Sequence, residues 1–279
     1  MTARSEGRGQ VVTRFAPSPT GRLHLGHAAS AIRAHDFARA RGGRFVLRIE
    51  DIDGTRSRLE HVAAILEDLR WLGLEWDELV VQSDRLATYA AGLERLKAMA
   101  LVYPCVCTRA EIAASASAPQ GEMAPAYPGT CRLHPPVLDV PHCWRLDMAK
   151  ALEVTGPLTW HDASAGTVVA DPLPQGDVVL ARKDAPSSYH LAVTLDDAAQ
   201  GVTDVVRGVD LFEATHVHRV LQALLGLPVP AYRHHPLVVD ADGRRLAKRD
   251  GAPTLEARRL AGEDGAGLAE RLRSSLPSS

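Results

Sequence analysis

Apolar and polar residues alternate in two rhythms over the first hundred positions. Gln10–Phe15 alternates with β-prone residues and predicts a strand. Ala16–Gly21 carries two prolines and a glycine and reads as a loop. From Leu25 to Arg41 an alanine-rich run has helical spacing, and Gly42-Gly43 ends it. Arg44–Ile49 predicts a second strand. Arg58–Leu72 is amphipathic, with Val62, Ile65, Leu66 and Leu69 on one face. Leu79–Gln82 reads as a third strand and Tyr89–Leu101 as another helix. This strand–helix order predicts an α/β fold built on a parallel sheet of Rossmann type.

The rhythm breaks in the middle of the chain. Ser115–Pro141 is rich in Ala, Ser, Pro and Gly, and Leu158–Val179 is β-prone with turns. Residues 104–182 therefore read as an insertion with its own small fold. It splits the catalytic domain into a first half, 10–103, and a second half, 183–250. Helix and strand signals return at Ser188–Ala199, Asp204–Val206, Ala214–Leu225 and Pro236–Val239. Residues 251–279 read as a short helical tail.

Charge and cysteine content narrow the class. Lys+Arg total 32 and Asp+Glu 34, a net charge of −2, so no basic coat covers the whole surface. No run approaches the ~18 apolar residues of a membrane helix, and Met1–Gln10 lacks the apolar core of a secretory signal. The four cysteines, Cys105, Cys107, Cys131 and Cys143, make a disulfide scaffold implausible at this size and point to a reducing cytoplasm. Only four basic residues are lysines, Lys97, Lys150, Lys183 and Lys248, so each one is a minority choice.

Four constellations carry chemistry. The first is Arg14–His27: a strand, a rigid Pro-bearing loop and a helix start, where free N–H groups and the helix dipole suit a phosphate. His24 and His27 share a helix face, and Gly26 admits close approach to the backbone. The second is Arg48–Asp53 at a strand end, where open α/β sheets bind ligands; its three acids suit an amine or a metal. The third is Tyr189 with Val206–Asp210, in which Arg207 at a strand end is a natural fork for a carboxylate. The fourth is Arg245-Leu246-Ala247-Lys248-Arg249, which by itself is a basic turn.

Cys105-Val106-Cys107 followed by Cys131 is a metal pattern, since three thiolates and a fourth ligand suit tetrahedral zinc. Spacing alone makes His134 or Cys143 the natural fourth ligand.

These motifs resemble the class I aminoacyl-tRNA synthetases. His24-Leu25-Gly26-His27 is similar to the "HIGH" signature with Leu for Ile, and Arg14–Gly21 matches the glutamyl-type "RFAPSPTG" run residue for residue. Arg245–Arg249 resembles a degenerate "KMSKS" loop, with Lys248 on the key lysine position and Ala247 in place of serine. The resemblance implies that Arg14 recognises the glutamate side-chain carboxylate and that Glu50 holds its amino group. Ala16, Ser18, Tyr189 and Arg207 would line the same pocket. His24, Gly26 and His27 would meet ATP, brought with Mg²⁺, and Lys248 would steady the departing pyrophosphate. Tyr127 through Cys131 resembles a Tyr-x3-Cys element found with C-x-C in a short glutamyl paralog. There the tyrosine completes a structural Zn²⁺ site, which gives the set Cys105, Cys107, Tyr127 and Cys131.

The chain stops 279 − 250 = 29 residues after Asp250, short of an anticodon-reading domain. The expected resemblance is therefore to the glutamyl-queuosine tRNA(Asp) synthetases. That family activates L-glutamate with ATP without tRNA, then transfers it to queuosine in the anticodon of tRNA(Asp). The implied protein is a cytoplasmic monomer with no membrane partner. Alternatives are a truncated glutamyl-tRNA synthetase that charges a tRNA 3′ end, and a non-catalytic paralog that kept the fold.

Overall fold

The computed structural model describes residues 9–108, 111–112, 127–137, 139–238 and 253–275. Lys248 and the Arg245–Arg249 loop lie outside them. β1 (Val12–Phe15), β2 (Arg44–Ile49) and β3 (Glu78–Val81) pair in parallel, linked by α1 (Leu25–Arg39) and α2 (Leu59–Trp71). α3 (Leu86–Ala98) follows. It ends three residues short of Leu101, because Ala100 turns to φ 54 and Leu101 N–H closes back on Leu96 O. The α2 face forms as the spacing predicts: Ile65 and Leu69 are buried, and Val62 and Leu66 pack beside them.

The middle of the chain divides between two sheets. β4 (Val102–Cys105), β5 (Cys143–Leu146) and β8 (Val179–Ala181) form a small antiparallel sheet. A single turn, α4 (Thr130–Leu133), and α5 (Met148–Thr155) lie in the same stretch. The hairpin of β6 (Thr159–Asp162) and β7 (Gly166–Val169) instead extends the parallel sheet, through β6 against β10. Residues 104–182 thus do not surround one sheet of their own.

The second half supplies α6 (Tyr189–Ala199), β9 (Asp204–Gly208), α7 (Ala214–Leu225) and β10 (Ala231–His235). The last strand precedes the expected Pro236–Val239 segment. Pro236 has no N–H to give to a ladder, so pairing with β9 ends at His235. Thr203 N–H donates to Val12 O (2.9 Å), which brings β9 beside β1. Set side by side, the three-stranded and four-stranded sheets give the order β3-β2-β1-β9-β10-β6-β7, which reverses between β1 and β9. Ligands of such sheets bind at this reversal, beyond the strand C-termini. α8 (Leu255–Leu260) and α9 (Gly265–Ser275) close the chain, with Leu268 and Leu272 packed into the core shared by α1 and α2.

α1 buries Ala28, Ala29, Ala31, Ala34 and Ala38. These small side chains seat the helix tightly over the sheet and aim its N-terminus at the reversal point. Among the described residues, no helix is long and apolar enough to cross a membrane.

Candidate active site

A cavity of about 250 Å³ opens at the C-termini of β1 and β9. Arg14, Ala16, His24, Gly26, His27, Glu50, Tyr189 and Arg207 all line it, so eight of the residues singled out from sequence meet in one place. Ser18 does not line it; it is exposed and faces an adjoining cavity that shares Glu50 and Tyr189.

The two histidines cap their own helix. His24 is the N-cap of α1, and its Nδ1 accepts from Gly26 N–H (3.1 Å). His27 Nδ1 accepts from His24 N–H (3.2 Å), and the two rings lie 3.8 Å apart. Both Nδ1 atoms are therefore bare, and each neutral ring carries its proton on Nε2. Gly26 serves this cap directly, since a Cβ there would stand 3.0 Å from His24 Cε1. His235 lies across the cavity mouth. Its Nδ1–H donates to Pro236 O (2.9 Å), and Nε2 accepts from the Ser30 hydroxyl (3.0 Å).

Buried charges build the other end. Arg14 Nε donates to Asp197 Oδ1 (3.1 Å). Arg48, fully buried in β2, donates to the same oxygen (2.8 Å), to Gln200 (2.9 Å) and to Glu50 (3.4 Å). The neighbouring Asp196 is engaged elsewhere, accepting from Gln82, Arg85 and Tyr89. Burial pushes the Glu50 carboxyl up despite Arg48 and Arg14 beside it. An incoming ammonium would favour its charged form.

Arg207 is held by its whole perimeter. Nε donates to His234 Nε2 (3.1 Å), Nη1 to the Tyr189 hydroxyl (3.2 Å), and Nη2 to Leu211 O (3.0 Å) and Thr215 (2.6 Å). Four of its five N–H groups are used, which leaves one, on Nη1, for a ligand. His234 accepts from a cation, so it must be neutral, and its Nδ1–H donates to buried Asp162 (2.8 Å). Burial, then the Arg207 charge, lowers its pKa to about 4. Asp162, Asp197, His234 and Thr215 were not singled out from sequence, and Arg48 entered only as the first residue of the strand-end acidic run. A charged residue inside the buried strand Arg44–Ile49 and an Asp pair on an apolar helix were the available signals.

Cys105, Cys107 and Cys131 bring their sulfurs within 4.8 Å of one another. Sulfurs on a tetrahedral zinc at ~2.3 Å stand about 3.8 Å apart, so the spacing fits. The Tyr127 hydroxyl lies 3.4 Å from Cys105 Sγ and 3.6 Å from Cys107 Sγ, and accepts from Cys131 N–H (2.7 Å). Arg145 stacks over its ring at 3.9 Å. Cys143 is buried nearby, but its thiol donates to Cys105 O (3.3 Å). His134 is exposed. Three thiols and a phenol are thus the donor set that converges.

A reversal-point cavity flanked by a histidine-capped helix has the form of a class I aminoacyl-tRNA synthetase catalytic domain. The family model for the catalytic domain of class I tRNA synthetases (E and Q) matches residues 10–269. A "Glutamyl-Q tRNA(Asp) synthetase" from Rhodobacter capsulatus is 54% identical, covering 88% of this chain and 93% of the relative. One of the same description from Deinococcus radiodurans is 47% identical over 88% of this chain and 82% of its own length. The crystal structure of a glutamate tRNA ligase from Elizabethkingia meningosepticum, in complex with its amino acid, superposes with TM-score 0.74 at 29% identity. The match covers 87% of this chain and 53% of that one, so the chain spans about half the solved synthetase. The chain belongs to the class I glutamyl/glutaminyl synthetase family, among the glutamyl-Q tRNA(Asp) synthetases, and is a synthetase-like ligase.

Proposed function

We propose that the protein activates L-glutamate with Mg-ATP in the absence of RNA, and then transfers the glutamyl group to queuosine in the anticodon of tRNA(Asp). The observation that carries the first step is the single cavity lined by Arg14, Arg207 and Glu50 together. Glutamate has two carboxylates and one ammonium, and these three side chains answer it charge for charge. Glutamine would leave a buried guanidinium facing a neutral amide, and is rejected. The relatives' names support the acceptor.

In the first step the α-carboxylate oxygen bonds to the α-phosphorus of ATP as the bond to pyrophosphate breaks. Positioning and charge neutralisation suffice, so no side chain acts as a covalent nucleophile. His24 and His27 offer Nε2–H to phosphate oxygens. Mg²⁺ arrives with ATP, and Lys248 takes the departing pyrophosphate by family likeness. In the second step a queuosine hydroxyl bonds to the glutamyl carbonyl, AMP leaves with the electron pair, and the hydroxyl proton passes to water.

The test supplies labelled glutamate and Mg-ATP with tRNA(Asp), with and without queuosine, and then maps the label by nuclease digestion. Label confined to the anticodon stem-loop of queuosine-bearing tRNA is expected. In a parallel sample with tRNA(Glu), label on its 3′-terminal ribose would make the protein a minimal synthetase. Absence of glutamate-dependent pyrophosphate exchange would make it a non-catalytic paralog.

Cys105, Cys107, Cys131 and Tyr127 would hold a structural Zn²⁺, and four protein ligands leave no open position for chemistry. Purified protein is expected to carry one zinc per chain by elemental analysis. Cys131→Ser should lose it and Cys143→Ser retain it; loss in the latter would move the fourth ligand to Cys143.

A further inference from the structure

Two guanidinium groups line the glutamate cavity, and they are held differently. Arg14 donates to an acid, Asp197. Among the described residues every partner of Arg207 is neutral: His234, Tyr189, Leu211 O and Thr215. We propose that Asp162 and His234 are positioning residues that fix the direction of Arg207 while leaving its charge for a glutamate carboxylate. The inference rests on the proposed function, which supplies the identity of that carboxylate.

The proton on His234 is the first support. Nε2 of this ring faces two donors, Arg207 Nε–H (3.1 Å) and the Thr215 hydroxyl (3.4 Å). The hydroxyl oxygen accepts from Arg207 Nη2 (2.6 Å), so its own proton can turn to the ring. Nδ1 faces Asp162 Oδ2 (2.8 Å), a carboxylate oxygen that only accepts. Both sides demand the same tautomer, Nδ1–H with a bare Nε2. A proton on Nε2 instead would set a donor against Arg207 Nε–H, and the guanidinium would have to turn away. The N–H left for a ligand, on Nη1, would turn with it.

The second support is that Asp162 is itself fixed. Its side chain and that of His234 are each 1% exposed. Oδ1 accepts from Ser164 and Ala165 N–H (2.9 and 3.0 Å), and Oδ2 also accepts from His234 N–H (3.1 Å). All four contacts come from N–H donors, so a carboxylate fits here and a carboxamide does not. Against burial, these donors hold the carboxyl below its ordinary range.

The third support is the spacing of the charges. A carboxylate bonded directly to Arg207 would compete with the substrate's own. A neutral histidine in between passes on the orientation and withholds the charge. The acid arrives on β6, which pairs with β10 at Asp162 and Tyr232, two residues before His234. The β6–β7 hairpin is thus a working part of the amino-acid site, although no residue of its strands lines the cavity.

The test uses the full chain and reads the tautomer and the glutamate kinetics separately. In wild type, the nitrogen NMR shifts of His234 should report a protonated Nδ1 and a bare Nε2. His234→Leu removes the acceptor. It should raise the glutamate KM in RNA-free pyrophosphate exchange about tenfold or more, with kcat and the ATP KM within about twofold of wild type. His234→Gln offers a carbonyl to Arg207 Nε–H and should recover most of the loss, which a merely structural role does not predict. Asp162→Asn should mix the two tautomers and raise the glutamate KM in step. A wild-type ring protonated on Nε2, or equal impairment by His234→Leu and His234→Gln, overturns the inference. So does a wild-type glutamate KM in either His234→Leu or Asp162→Asn. The wild-type tautomer is read without substrate, so it decides the matter even where a variant does not fold. Exchange absent from wild type, together with the expected tautomer, would remove the activation chemistry and leave Arg207 aimed at a carboxylate other than glutamate's.

Discussion

Arg207→Lys should abolish most glutamate activation while the fold persists. Lysine keeps the charge but offers three donors from a point in place of a planar fork. It cannot span His234, Tyr189, Leu211 O and Thr215 as the guanidinium does. The partners left behind are buried, and breaking such a network costs ~3–5 kcal/mol. At ~1.4 kcal/mol per factor of ten, a loss of that size lowers kcat/KM for glutamate by between about 10²-fold and about 4 × 10³-fold. The loss reads directly in pyrophosphate exchange without RNA, alongside a melting curve to show that the chain still folds. Wild-type exchange by this variant would remove Arg207 from the substrate site.

Arg48→Met carries the largest effect on stability. Arg48 has no exposed surface, and its cation faces Asp197, Glu50 and Asp196. Methionine fills comparable space but leaves two acids sharing Arg14. Loss of one partner from a buried ionic cluster costs ~3–5 kcal/mol. For a chain of this size ~1 kcal/mol moves Tm by about 2–4 °C, so a fall of roughly 10 °C is expected by calorimetry. Glutamate should also bind more weakly, because Glu50 and Arg14 both lean on this cluster. A melting curve superimposable on wild type would mean that solvent reaches Arg48 and that burial does not govern its role.

Much of the fold was legible from continuous β-prone runs, as in buried β1 and β2, and from helical spacing, as in α2. α1 announces itself in its alanines, β2 in Arg44–Ile49 and α7 in Ala214–Leu225. The glutamate cavity was legible through contiguous motifs, and eight of their residues line one space. What escaped were partners with no local signature. Asp162 serves a histidine 72 residues later, and nothing in Trp160–Asp162 hints at it. The β6–β7 hairpin reads as part of an insertion because sequence order does not reveal that its strand docks against β10. Pro236 was read inside a strand that it in fact terminates. The fourth donor at the cysteine cluster was unreadable from spacing, since Tyr127, His134 and Cys143 are all near enough in sequence. In the structure the Tyr127 hydroxyl lies 3.4 and 3.6 Å from two of the sulfurs, and His134 is exposed.

The ion pairs of the site also set a timetable for its assembly. Arg14 and Asp197 are 183 residues apart, and Arg48 and Asp197 are 149 apart. Arg207 takes its orientation from His234, 27 residues further on. A chain emerging from the ribosome therefore completes β1 and β2 long before it owns the acids that neutralise them. Until His234 has cleared the exit tunnel no pocket exists for glutamate to enter. Substrate cannot template the early segments; it can only bind, and so stabilise, a molecule whose distant halves have already met.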